Sequence, residues 1–69
     1  MSAPDFTASR VGGLILFGAV SPRAAELVAE LDRDPDRTTW GGALVCDPDM
    51  ASGAMADMQA RGYVVEVIA

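Results

Sequence analysis

Residues 11–20 read Val-Gly-Gly-Leu-Ile-Leu-Phe-Gly-Ala-Val and carry no polar side chain. Apolar residues that follow one another without alternating describe a strand buried on both faces. The run is therefore expected to be the central strand of a sheet, with Gly12 and Gly13 loosening its start and Gly18 letting the chain turn at its end. A bilayer span needs about 20 apolar residues, so this run is expected to sit in a protein core.

On either side of the run the sequence changes character. Residues 1–10, with Pro4, Asp5, Thr7 and Ser9, read as a polar lead-in from which only Phe6 would tuck a ring onto the body. Ser21-Pro22 is a helix start: serine accepts an orphan amide hydrogen bond, and proline suits the first helical position. Ala24, Leu27, Val28 and Leu31 then recur at helical spacing over 22–33. Asp34-Pro35 ends that helix, because the residue before a proline avoids the α region. Residues 34–39 read as a polar connection, and 43–46 (Ala-Leu-Val-Cys) as a short buried strand. Asp47-Pro48 repeats the start signal for a helix over 48–61, with a stripe of Ala51, Ala54, Met55 and Met58 and an Asp57–Arg61 pair at i,i+4. Gly62 suits the position after a helix. Residues 63–68 are rich in β-branched and aromatic side chains, and Glu66 marks an edge strand.

The expected fold is a single α/β domain over residues 11–69. Its strand-helix-strand-helix-strand order predicts a three-stranded, mostly parallel sheet with right-handed crossovers. The 11–20 run is placed in the middle with one helix on each face, because Leu14 to Phe17 demand cover on both sides. At 69 residues the core is small, and two helices and three strands leave faces or edges uncovered. Self-association or a partner is expected to cover them.

Charge decides the class of partner. Ten carboxylates oppose five basic residues, a net charge of −5 without lysine or histidine. The arginines stand apart at positions 10, 23, 33, 37 and 61, whereas phosphate-backbone binding needs clustered cations. Direct nucleic-acid binding is not expected, and a protein with a basic surface is. Cys46 stands alone, so neither a disulfide nor a zinc ligand set is expected, and no histidine is present to activate it. No cofactor, no metal site and no catalytic group are expected. The start of the chain lacks a basic region, so neither a signal peptide nor a membrane segment is expected, and the reading is cytoplasmic.

Two turns are candidates for chemistry. Leu44-Val45-Cys46-Asp47-Pro48-Asp49 resembles the strand and Asp-x-Asp motif of haloacid dehalogenase-like phosphatases and of metal-dependent glycosyltransferases, which implies a divalent cation beside a phosphate. The motifs that complete the phosphatase pattern do not follow, and helix capping accounts for Asp47 while the helix dipole accounts for Asp49. A minimal metal- or phosphate-binding module is therefore the alternative reading. The Gly18–Arg23 turn offers backbone amides to a phosphate, yet it lacks a dinucleotide or P-loop pattern.

The segment from 26 to 36 carries the main functional expectation. Glu26, Glu30, Asp32, Asp34 and Asp36 put five carboxylates within 11 residues, offset by Arg33 and Arg37. On a helix Glu26 and Glu30 lie about 6 Å apart along the axis, close to the charge spacing of a nucleic-acid strand. A solvated helix face is the plainer account of the same charges. Trp40 would supply an apolar anchor if exposed and would otherwise pack in the core. A tiny, acidic, lysine-free α/β chain of this kind resembles the phage-encoded inhibitors of bacterial defence, above all anti-CRISPR proteins. The resemblance rests on length and charge, with residues 26–36 as its local carrier. It implies a non-enzymatic inhibitor or regulator that occludes a larger, basic, nucleic-acid-handling protein, some of its kind by imitating DNA. A structural, oligomer-forming subunit is the other expectation.

Overall fold

The computed structural model describes residues 3–68. Its elements are β1 (Phe6–Val11), β2 (Leu14–Ala19), α1 (Pro22–Leu31), β3 (Thr38–Trp40), β4 (Ala43–Cys46), α2 (Pro48–Ala60) and β5 (Val65–Val67). The α/β class and the two helices are as expected. The sheet has five strands rather than three, in the order β3-β4-β2-β1-β5, and only the β1–β5 pair is parallel.

The difference arises at two glycine pairs. Gly12-Gly13 forms a two-residue hairpin loop between Val11 and Leu14, and Gly12 has φ +63°. Gly41-Gly42 does the same between Trp40 and Ala43, with φ +51° and +87°. Positive φ at these positions gives a turn whose twist matches that of the strands, and glycine adopts it without a Cβ clash. The apolar run is therefore split: Val11 ends β1, and the rest forms β2, still the middle strand. The second half of the polar lead-in, from Phe6 onward, is β1 itself, while Met1 and Ser2 lie outside the described residues. The 34–39 connection yields its last two residues, Thr38 and Thr39, to β3. The chain thus runs as two strand-turn-strand-helix units with β5 added at the end.

Both helices begin where the capping signals lie. Ser21 Oγ accepts from Ala24 N at 3.2 Å, and Asp47 Oδ1 accepts from Met50 N at 3.1 Å, each followed by proline at the first helical position. Helix α1 buries Ala24, Leu27 and Val28, and α2 buries Ala51 and Met58. These meet Phe6, Ala8, Phe17, Leu44 and Cys46 in one cluster. The registers Ala8↔Phe17 and Phe17↔Leu44 place those strand residues on one sheet face, since facing residues share a side. Both helices therefore cover the same face, which corrects the expectation of one helix on each. The fold is two-layered, and the cover that Leu14 to Phe17 call for on both sides is supplied on one.

Candidate functional site

Three regions hold what can act outward, beginning with the uncovered sheet face. Alternation sends Thr7, Ser9, Val11, Leu14, Leu16, Gly18, Thr38, Trp40, Ala43, Val45 and Glu66 to the side opposite Phe17. In register the face forms one row of Trp40, Ala43, Gly18, Thr7 and Glu66 and a second of Thr38, Val45, Leu16 and Ser9. Leu14 and Val11 close the far end. Leu14, Leu16 and Val45 are half-buried by their in-plane neighbours, Val11 is exposed, and Trp40 keeps 54% of its surface accessible. Trp40 is thus on the surface rather than in the core. Along these rows the only charged side chain is Glu66, on the β5 edge.

The acidic segment lies in the other layer. Glu26 and Glu30 are exposed on α1, Asp32 caps its C-terminus, and Asp34 and Asp36 belong to the loop that leads to β3. Thr39 donates its hydroxyl to Asp32, and Asp34 Oδ1 accepts from Asp36 N at 3.0 Å in a local turn. Among the described residues the ion pairs are Arg23–Asp5 and Arg61–Asp57. The five carboxylates of residues 26–36 therefore stay unneutralised, although Arg33 and Arg37 lie in the same stretch. Glu30 and Asp32 also stand at the negative end of the α1 dipole, where carboxylates are unfavourable by a few tenths of a kcal/mol each. Because Thr39 and Trp40 alternate across β3, Trp40 points away from this acidic layer. The structure places Glu26, Glu30, Asp32 and Asp34 on α1 and the loop that follows it, whereas Asp36 and Arg37 line one surface pocket together with Trp40, Leu14 and Val45.

The third region is a polar lock around Asp5. Its carboxylate is 5% exposed. Oδ1 accepts from Ser21 Oγ at 2.6 Å and from Arg23 Nε at 3.0 Å, while Oδ2 accepts from Arg23 Nη2 at 2.7 Å and from Val64 N at 2.8 Å. The Arg23 hydrogen bonds, with those from Ser21 and Val64, hold the Asp5 carboxyl well below the usual carboxylate range. The same pairing raises the Arg23 guanidinium. Arg23 also donates to Gly62 O at 2.7 Å and lies 4.8 Å from the Tyr63 ring centroid. Tyr63 in turn meets Phe6 edge-on, with centroids 5.5 Å apart. The lock joins the start of β1, the N-terminus of α1 and the turn before β5. Asp5 has no local signal in the sequence, since its side-chain partners stand 16, 18 and 59 residues away.

Of the two turns considered for chemistry, the Ser21 turn and Asp47 have their polar groups engaged within the protein, while Asp49 is exposed in the first turn of α2. Ser21 and Arg23 belong to the lock, and Asp47 caps α2. Among the described residues no three cysteine or carboxylate side chains converge as a metal site would require. Burial pushes the Cys46 thiol up, which keeps it in the unreactive protonated form. Among the same residues no helix is long and apolar enough to cross a membrane.

What these elements define is a two-layer α/β domain with an acidic helical layer and an apolar open sheet face. Compared with protein-family models, curated proteins and solved structures, the chain matches none of them.

Proposed function

We propose that this protein acts by binding, as a small acidic inhibitor or regulator that occludes a basic, nucleic-acid-handling protein through the α1 layer and the loop to β3. The observation that carries the reading is the placement of Glu30 and Asp32. Both sit against the helix dipole, Glu30 lies one turn from the like-charged Glu26, and none of the three is offset by an ion pair. A helix under selection for stability alone gains by placing basic groups there. Carboxylates held at a cost to the helix point to an outward use, and a basic surface is what their field attracts. Such a surface, when it serves to hold nucleic acid, is occupied by the carboxylates in place of phosphates. The anti-CRISPR-like behaviour implied by size and charge is one form of this mechanism.

The test opposes binding to stability. Glu26→Gln with Glu30→Gln is expected to raise the stability of the isolated domain by a few tenths of a kcal/mol, read from urea midpoints. Glu30→Gln, Asp32→Asn and Asp34→Asn together are expected to abolish capture of the partner in a pull-down from bacterial lysate. The wild-type complex should weaken steeply between 50 and 500 mM salt, by roughly tenfold or more. Capture that ignores both the substitutions and the salt would overturn the electrostatic mechanism.

A further inference from the structure

The middle of the sheet is apolar on both sides, and the helices cover one side. We propose that the open sheet face is the interface of a homodimer, in which two copies of the chain pack face to face. Three observations select a second copy as the occupant.

The first is chemical. Leu14, Leu16, Val45, Ala43 and Trp40 form a continuous apolar patch, with Thr7, Ser9 and Thr38 beside it and Glu66 at one edge. An apolar centre with polar surroundings is the composition of a homodimer contact. A basic partner finds no counter-charge on the middle strands of this face and is drawn to the opposite layer.

The second is electrostatic. With a net charge of −5, copies of this chain repel one another wherever carboxylates meet. Glu26, Glu30, Asp32, Asp49 and Asp57 lie on the helices or at their ends, Asp34 follows α1 in the loop, and near the open face stand Asp36, beside Arg37 at the Trp40 pocket, and Glu66 on the β5 edge. Two copies that meet through the open face keep the helix carboxylates on the far sides of the assembly, separated by two sheets and two helical layers. Contact between two sheets also buries each face against a surface of its own kind, as in aligned sheet packing.

The third is size. Five strands at sheet spacing give a face roughly 20–24 Å across and roughly 15–20 Å along the strands. That is about 400 Å² of plane per chain, near a tenth of the 4492 Å² accessible surface. A share of about a tenth is what small proteins give up in specific complexes, but the total of about 800 Å² is below the roughly 1,200 Å² at which standard interfaces begin and has the size of a weak, transient contact. A weak, reversible dimer is the expected result.

The chain carries its own reporter, because its single tryptophan is Trp40, exposed in the monomer and enclosed in the dimer. The experiment is sedimentation equilibrium of the full chain from 1 to 200 μM, with tryptophan emission recorded over the same range. A mass approaching twice 7.2 kDa at high concentration, with an emission maximum that moves to the red on dilution, is expected. Leu16→Lys and, separately, Val45→Lys should return the mass to 7.2 kDa while far-ultraviolet circular dichroism stays folded. Val67→Lys, on the β5 edge, should leave the dimer intact. Should either open-face variant fail to fold, the dilution shift of Trp40 in the wild type still decides. A monomer at 200 μM overturns the proposal, as does a dimer that survives both open-face substitutions, or one that only Val67→Lys dissolves. Salt separates this inference from the acidic-surface reading. Screening should strengthen the dimer by reducing repulsion between like-charged copies, whereas it should weaken a complex held by the α1 carboxylates.

Discussion

The two faces of the sheet are built from the same strands and differ in what stands behind them. On the covered face Phe6 and Phe17 are wholly buried, with Ala8, Leu44 and Cys46 beside them. On the open face Thr7 and Ser9 take the places alternating with Phe6 and Ala8, so β1 alone declares which side is inward. Strands β2 and β4 make no such declaration: Leu14 and Leu16 are as apolar as Ile15 and Phe17, and Val45 as apolar as Leu44 and Cys46. A strand that alternates is satisfied by a two-layer fold. A strand that is apolar throughout is only half satisfied, and the remainder is available for association.

Substitutions on the two faces should separate folding from association, beginning with the largest effect. Phe17→Ala removes a fully buried ring and should cost about 3–5 kcal/mol. A domain of this size has a margin of about that much, so the variant is expected to lose its helical circular dichroism at 25 °C. Survival with a normal melting curve would mean that the covered face is not the core. Asp5→Asn, at the end of β1, keeps the shape of the lock but removes its charge, and a fall in Tm of roughly 10 °C is expected.

The pH dependence of the wild type follows from the same carboxylate. Asp5 is held below its ordinary value near 3.8 in the folded chain, so on acidification the unfolded chain takes up the proton first. The stabilisation is complete well above that value and is lost as the pH falls from about 4 toward the folded pKa. Urea midpoints for wild type and Asp5→Asn should therefore begin to draw together below about pH 4 and converge only as the pH nears the folded pKa, and parallel curves would remove Asp5 from the acid sensitivity. The smallest effect is expected on the open face. In solutions dilute enough to be monomeric, Leu16→Thr should shift stability by roughly 0.5 kcal/mol or less, measured by urea midpoint at 1 μM. A loss comparable to that of Phe17→Ala would show that the open face is covered within the monomer.

Much of the helical layer was legible in the sequence. Ser21-Pro22 and Asp47-Pro48 mark the helix starts to the residue, and the stripes Ala24-Leu27-Val28 and Ala51-Met58 name the faces that pack, because capping and helical periodicity are local. The 43–46 strand and the edge position of Glu66 are equally local and equally clear. The hairpins were legible too, in Val11-Gly12-Gly13-Leu14 and Trp40-Gly41-Gly42-Ala43. Reading continuous hydrophobicity across Gly12-Gly13 as one strand hid the first of them. Phe6-Thr7-Ala8-Ser9 alternates at strand period, a signal masked by its polar content. Partner order and helix side were not legible, because they depend on pairings between distant segments. The acidic segment was visible as composition, while its position against the α1 dipole required the observed end of the helix at Leu31. The separation of Trp40 from Glu26, Glu30 and Asp32, and its place beside Asp36, required the β3 register.

The reach of the Asp5 lock bears on the order in which the chain assembles. Its Val64 contact spans 59 residues, and it stands beside the parallel strand pair of β1 with β5. The β1–β2 and β3–β4 hairpins close across two residues each and can form within microseconds. Pairing of β5 with β1 joins segments nearly the whole chain apart in sequence, and such non-local contacts form more slowly than the hairpins. The Val64 bond to Asp5 is therefore expected to form late, after the nearer partners Ser21 and Arg23 are in place. The same contact ties the end of the chain to its beginning: without the β1–β5 pairing the outer edge of β1 would stand unpaired and open to another strand.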